Sequence, residues 1–195
     1  MSTNSLVAYL NEDGSVVSSY VHYDGYATGV GEMLLEHYNS EERASDLAWC
    51  LGYASSLKET ISESHEDRAN KDEAVTYESY HDFEEYIREC SYLEYVYVWD
   101  TTEDRWMVAT WEATRKSSGE YEDHGFEFDY HWNGFESLVT VYVREGHKTV
   151  RRYRDMVAEE RVGVEYLDYA SELETLVSKW HGVGMEEVAR EALAA

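Results

Sequence analysis

The alternation of apolar and polar positions predicts an N-terminal β-hairpin. Two β-rich segments, residues 6–10 and 15–23, flank the turn residues 11–14, which end in a glycine. Such an arrangement is typical of a hairpin. A loop over residues 24–29 follows, and residues 30–38 then place apolar side chains on one side of a helix.

A second helix is predicted directly afterwards. Ser40 is a suitable N-cap, and Glu41 and Glu42 suit the positive N-terminal end of a helix. Gly52 is expected to end this helix. The apolar positions follow the i, i+3, i+4, i+7 spacing of one helical face, namely Ala44, Leu47, Ala48 and Leu51.

Further strands are predicted in the middle of the chain, after an acidic loop and a helix over residues 80–90. Residues 93–99 and 106–111 read as a strand pair around a short turn. Residues 126–132 alternate aromatic and polar side chains and lead into Asn133-Gly134 and the apolar residues 138–143. Asn-Gly between such segments predicts another hairpin.

Helical spacing returns at the C-terminus, over residues 164–180 and in a last short helix after Gly184. The order of strands, helices, strands and helices predicts an α+β fold, with an antiparallel sheet of hairpins packed with helices and a C-terminal helical segment. We expect an acidic α+β domain over residues 1–150, with residues 151–195 as a helical segment packed on it.

The net charge of the chain bears on its possible binding partners rather than on its fold. The chain has 41 Asp and Glu against 16 Lys and Arg, a net charge of −25 on 195 residues. The surplus is concentrated in residues 1–143. Because self-repulsion of this size destabilises a compact state, it suggests a cationic partner, a salt-rich cytoplasm or imitation of nucleic acid. Eighteen tyrosines and six tryptophans nevertheless predict a folded protein.

The same charge argues against several functions. Direct binding to DNA or RNA needs a basic face, and an anionic membrane would repel this chain. No apolar run is long enough to span a membrane, and the first ten residues lack the features of a signal peptide. Cys50 and Cys90 are expected to be reduced, partly buried thiols of a cytoplasmic protein.

The candidate chemistry is sparse. Gly25, Gly29 and Gly31 resemble a partial phosphate-binding loop, but Glu32 would repel a phosphate, and a tight strand-to-helix turn is the favoured interpretation. Histidines and aspartates near this loop and near residues 124–131 lack the spacing of known metal sites. No catalytic residue, metal or cofactor is therefore predicted.

Two side-chain groups stand out on the expected surface. Five bases lie within residues 144–154 and are expected to fold against the acidic stretch 59–85, the alternative being a separate docking surface. Tyrosines are favoured at protein interfaces. Beside the acids lie Tyr77, Tyr80, Tyr86, Tyr92, Tyr95 and Tyr97.

Residues 20–38 resemble a segment found in other proteins. A His-aromatic-Asp-Gly-Tyr loop, here His22-Tyr23-Asp24-Gly25-Tyr26, leads into a Val-Gly-x-x-Leu-Leu-x-x-Tyr helix starting at Val30. This segment resembles one found in small phage and prophage proteins. The resemblance covers about the first third of the chain and implies a phage-type origin without an activity.

Together these observations favour a phage-encoded, non-enzymatic inhibitor of a basic host protein of restriction, CRISPR or transcription, acting through an acidic surface that mimics nucleic acid. A salt-adapted cytoplasmic globular protein and a small metal-binding enzyme remain the alternatives. A mimic should show one coherent acidic face, a salt-adapted protein acids all over, and an enzyme a pocket. The predicted contact surface consists of Glu59, Glu63, Glu66, Asp67, Asp72, Glu73, Glu78, Asp82, Glu84, Glu85 and Glu89.

Overall fold

A mixed β-sheet forms the centre of the molecule. The computed structural model describes residues 3–65, 72–90, 92–115 and 128–194, and the side chains of these residues outside 112–131 and 184–194. The strands are β1 (Ser5–Leu10), β2 (Val16–Val21), β3 (Tyr53–Ala54), β4 (Val75–Tyr77), β5 (Tyr95–Asp100), β6 (Arg105–Arg115), β7 (Phe128–Trp132) and β8 (Glu136–Ser137). They pair in the order β3-β2-β1-β5-β6-β7, with β4 also on β2 and β8 also on β6.

Helices lie between and after the strands. A π-helical turn, Ala27–Gly31, leads directly into the first α-helix. The α-helices are α1 (Glu32–His37), α2 (Glu41–Cys50), α3 (Ile61–Ser64), α4 (Tyr80–Glu89), α5 (Leu138–Ala158) and α6 (Glu165–Ala194). The predicted α+β class, with a C-terminal helical segment, is confirmed.

The sheet itself is mixed, so the prediction of an antiparallel sheet of hairpins is wrong in this respect. β1 pairs antiparallel with β2 but parallel with β5, with Ser5 opposite Tyr95. β2 also pairs parallel with β3. Parallel neighbours require a long crossover connection. The turn signals in the sequence are local and do not indicate which distant strands pair in parallel.

Each face of the sheet has its own core. Val7, Val17 and Tyr97 belong to a core that includes α1, α2, α5 and α6, and we call this side the four-helix face. Leu6 and Val96 belong to the other core, which includes α4, and we call this side the α4 face. Alternate residues of one strand divide between the faces because successive side chains of a strand point in opposite directions.

Most local predictions in the first half of the chain are confirmed. β1 and β2 form the predicted hairpin, and β5 and β6 form the second strand pair. Ser40 is the N-cap residue of α2, and Gly52 follows that helix with a φ of 64°. The predicted helix over residues 80–90 is α4.

The hairpin at Asn133-Gly134 is wrong. β7 and β8 pair with different parts of β6, and residues 138–143, predicted as a strand, begin α5. A short apolar run does not distinguish a strand from a buried helix. The buried positions show helical spacing once the whole segment is included, namely Leu138, Val139, Val141, Tyr142, Gly146 and Val150.

Residues 138–194 form a long helical pair. The last short helix predicted after Gly184 is wrong as a separate element, because α6 runs without interruption from Glu165 to Ala194. Of the apolar positions at helical spacing, Ala170, Leu173, Val177 and Trp180 are buried, whereas Leu167 is exposed. The domain boundary expected at residue 150 falls inside α5, whose side chains share the core of the four-helix face.

Candidate functional site

The loop between β2 and α1 is held by close backbone packing. Asp24 adopts a φ of 59°, a left-handed conformation in which Asp and Asn are enriched. Its carbonyl oxygen accepts the N–H of Val30 at 2.8 Å, and a Cβ on Gly29 would overlap that oxygen. The Tyr97 hydroxyl donates to the carbonyl of Gly25 at 2.8 Å. The glycines therefore shape a tight turn, which is the role that the sequence favours.

A cleft of about 570 Å³ opens beside this turn, and we call it the loop cleft. Its walls come from the π-helical turn and α1, from the segment that leads into α3, and from the first half of α6. Π-helical turns are frequent at functional sites. The acidic side chains that line it are Asp24, Glu32, Glu59 and Glu63.

Two of these carboxylates are fixed by tyrosine hydroxyls. Tyr142 donates to Glu32 at 2.9 Å, and Tyr26 donates to Asp24 at 3.2 Å. Burial raises the pKa of Glu32 above its ordinary value, although the hydrogen bond from Tyr142 opposes the shift. A half-buried carboxyl of this kind binds a proton more readily than an exposed one, and an opposite charge in the cleft would stabilise its ionised form.

On the facing wall, Glu63 belongs to a capping box at the start of α3. Its carboxylate accepts the backbone N–H of Thr60 at 3.1 Å and the hydroxyl of the same residue at 2.7 Å. Lys58 is the basic residue of the lining. The cleft is thus strongly acidic, with one amine at its rim.

The predicted contact carboxylates lie on two sides of the sheet. Glu59 and Glu63 line the loop cleft, and Ile61 between them packs against the core of the four-helix face. Asp72, Glu73 and Glu78 are exposed on the segment that contains β4. The remaining described ones, on α4, are Asp82, Glu84, Glu85 and Glu89. Glu66 and Asp67 lie outside the described residues.

The α4 group forms the most regular acidic row. Phe83 and Ile87 are buried in the core of the α4 face, so the intervening positions are directed away from the sheet. Asp82, Glu85 and Glu89 are exposed, whereas Glu84 is half-buried. We call the exposed carboxylates of α4, together with Glu73 and Glu78, the acidic row.

The aromatic side chains around α4 hold it in place. Trp132 Nε1 donates to the carbonyl of Ile87 at 2.9 Å. Tyr77 packs edge-on against Phe83 and at a tilt against Tyr86, with ring centroids 5.2 and 5.3 Å apart. Of the six tyrosines singled out in the sequence, Tyr77, Tyr80 and Tyr86 are partly buried around α4, and Tyr92 is exposed. Tyr95 and Tyr97, in contrast, belong to the four-helix face.

The basic stretch makes different ion pairs from those expected. Arg144 bonds to Glu136 at 2.8 Å and Arg154 to Glu174 at 2.6 Å. Neither partner belongs to residues 59–85, because α5 packs beside α6 and follows β8 directly. These two ion pairs therefore connect the basic stretch with β8 and α6 rather than with the acidic residues 59–85.

The metal and thiol candidates give little chemistry. Within residues 3–65, 72–90, 92–115 and 128–194, no three His, Cys, Asp or Glu side chains come together as metal ligands. His124 and the side chains of Asp129 and His131 lie outside the description. Cys50 and Cys90 are both free, as predicted, but Cys50 is exposed and only Cys90 is buried.

Sequence reasoning missed the tyrosines of the loop cleft. Tyr142 lies 110 residues after Glu32, and Tyr169 reaches the cleft from α6. Only long-range packing brings them together, and no local pattern signals it. Glu32 itself was recognisable as an acid at the start of a helix after a glycine loop.

Comparison with known proteins finds no relative of this chain. No family model, curated protein or solved structure matches the chain. Among the described residues, no helix has the length and apolar character needed to cross a membrane.

Proposed function

We propose that this protein is a non-enzymatic, phage-encoded inhibitor that binds the basic nucleic-acid groove of a host DNA-binding or defence protein. The acidic row on α4 and its flanks is the proposed contact surface. The observation that carries the proposal is the regular spacing of exposed carboxylates on a helix anchored by aromatic packing. The phage origin rests on the resemblance of residues 20–38.

The spacing of the row is comparable with that of a nucleic-acid backbone. Asp82, Glu85 and Glu89 span about 10 Å of helix axis at about 1.5 Å per residue. This gives one charge per about 5 Å, compared with one per about 3.4 Å along a single DNA strand. A basic groove built to bind phosphates would therefore meet carboxylates at a similar density.

The rigidity of α4 also supports the proposed inhibitor function. Ser79 caps α4 by accepting the N–H of Asp82 at 3.2 Å, and its hydroxyl donates to the Asp82 carboxylate at 2.8 Å. Tyr86 and Tyr92 join their hydroxyls at 3.0 Å next to the helix. A preorganised charge array loses little conformational entropy on binding, which favours affinity.

A salt-dependent capture experiment tests the proposal. The tagged protein is used to recover partners from host lysate at about 50 mM and about 500 mM salt, because screening at the higher concentration weakens contacts between exposed charges. The recovered protein is then tested for DNA binding in the presence of increasing amounts of this chain. We expect a basic DNA-binding protein at low salt only, and displacement of its DNA.

A charge-reversed variant locates the surface. Reversal of four row residues to Lys, in Glu73→Lys, Glu78→Lys, Glu85→Lys and Glu89→Lys, should abolish capture and DNA displacement while the far-ultraviolet circular dichroism stays unchanged. The matched control reverses four exposed acids elsewhere, in Glu12→Lys, Glu42→Lys, Asp46→Lys and Glu172→Lys. Equal loss in both variants would show that only net charge matters. The absence of any salt-sensitive partner would favour a salt-adapted globular protein.

A further inference from the structure

The loop cleft is a second candidate site, separate from the acidic row. It lies on the four-helix face, since Val30 and Leu57 of its lining belong to the core of that face. The acidic row lies around α4 on the other side of the sheet. The volume of the loop cleft, about 570 Å³, falls in the range of small-ligand sites.

The lining combines apolar, aromatic and acidic side chains. The half-buried Met33 supplies apolar surface above the buried Val30 and Leu57, and Tyr26 and Tyr169 supply aromatic rings. Tyr153 packs against Tyr169 with ring centroids 5.4 Å apart, which holds that ring at the cleft. A site of this composition suits a ligand with an apolar stem and a charged end.

The charges of the lining specify the sign of that end. Four carboxylates and one amine line the loop cleft, so an anion is repelled and a cation attracted. The Asp24 and Glu63 carboxylates are held in place by hydrogen bonds from Tyr26 and Thr60. Their charges are therefore presented in a fixed arrangement before any ligand arrives.

We propose that the loop cleft binds the side chain of an arginine presented by a partner protein. A planar guanidinium pairs with carboxylates through two parallel hydrogen bonds and also stacks on aromatic rings. Tyr26 and Tyr169 offer the rings, while Glu59 and Glu63 offer the carboxylates opposite the loop. The aliphatic stem of arginine fits against the half-buried side chain of Met33.

The test uses the full chain, labelled with ¹⁵N, and the peptide acetyl-Gly-Arg-Gly-amide as the probe. We expect saturable shifts of the backbone amides of Gly29, Met33 and Tyr169 and none on α4. The same peptide with citrulline, which has the shape of arginine without its charge, should bind at least about tenfold more weakly, because it cannot form charge-assisted hydrogen bonds. Equal binding of both peptides would overturn the proposal.

Isosteric variants identify the groups responsible. Asp24→Asn, Glu59→Gln and Glu63→Gln remove three charges, while asparagine tolerates the left-handed backbone and glutamine retains the capping box. The triple variant should bind the arginine peptide at least about tenfold more weakly. Lys58→Ala removes the competing amine and should tighten binding. Unchanged binding in the triple variant, or weaker binding in Lys58→Ala, would refute the assignment.

A charge-matched control separates the cleft from general attraction to an acidic protein. Glu12→Gln, Glu42→Gln and Asp46→Asn remove three exposed charges that do not line the loop cleft. Their combined effect on peptide binding should remain within about twofold, since surface charges at a distance are screened by salt. A loss equal to that of the cleft variant would overturn the proposal. Because the acidic row is intact in all of these variants, failure here leaves the proposed function standing.

Discussion

The contact between α5 and α6 depends on the absence of a side chain at Gly146. This residue is buried in the middle of α5, where a Cβ would overlap a methyl group of Val177 on α6. Thr28 of the π-helical turn lies beyond, with its methyl carbon 3.8 Å from the same Cβ position. Gly146→Ala is therefore an overpacking substitution at the junction of the helical pair and the loop.

The expected magnitude follows from two opposing effects. Alanine is favoured over glycine inside a helix by about 1 kcal/mol, whereas overpacking a well-packed core costs about 1–3 kcal/mol. Because valine is stiff at χ1 in a helix, it cannot move its methyl group aside easily. We place the overpacking cost at the upper end of its range, so Gly146→Ala should lower the free energy of unfolding by about 2 kcal/mol.

A double-mutant cycle with Val177→Ala tests this reasoning. Val177→Ala alone leaves a cavity, but in the double variant the new methyl group of residue 146 occupies part of it. Urea unfolding, followed by tryptophan fluorescence, should give a favourable coupling energy of about 2 kcal/mol between the two sites, within the range known for contacting residues. As a control, Gly182→Ala on α6 meets nothing within 4 Å and should stabilise the protein slightly. Additive effects of the first two substitutions would refute the proposed overlap.

Three further predictions follow from other contacts. Burial raises the pKa of Glu32 and of Glu145, so the stability that each contributes is present at acidic pH and lost as the pH rises from about 4.5 towards neutrality. Glu32→Gln and Glu145→Gln should therefore flatten the pH dependence of the free energy of unfolding in urea over that range. An unchanged pH dependence would contradict this prediction. Ser19→Ala removes a buried hydroxyl that donates to the carbonyl of Ala48 and accepts the N–H of Gly52, both at 2.8 Å. It should lower the free energy of unfolding in urea by about 2–4 kcal/mol. Ser178→Ala, on the exposed surface of α6, should change this free energy little. Added sodium chloride should raise the thermal midpoint by screening the net charge of −25, and a flat response would show that self-repulsion is not limiting.

The sequence predicted the elements whose signals are local. α2 has Ser40 in extended backbone at its N-cap, acids in its first turn and apolar positions at helical spacing, and Gly52 follows its C-cap Leu51, so all of these signals lie within or next to the helix. The β1–β2 and β5–β6 hairpins likewise depend on short turns between alternating segments. Such signals agree with the fold because they need no information from distant parts of the chain.

The wrong predictions concern elements that depend on contacts between distant parts of the chain. Asn133-Gly134 resembles a hairpin turn, but pairing with β6 on both sides and the packing of α5 decide the structure there. The parallel neighbour of β1 is β5, and no local pattern indicates it. For the same reason the sequence indicated Glu59 and Glu63 but neither Tyr169, which lines the loop cleft from α6, nor Tyr142 of α5, which donates to Glu32.

The central position of β1 has a consequence for the order of folding. β1 gains its parallel neighbour only when Tyr95 comes opposite Ser5, and closing a loop of that length costs about 4 kcal/mol of chain entropy. During synthesis the β1–β2 hairpin therefore waits with one edge unpaired until β5 has emerged from the ribosome. An open edge is a template for pairing with another chain. The dense negative charge of the intervening segment opposes the approach of a second nascent copy during that interval.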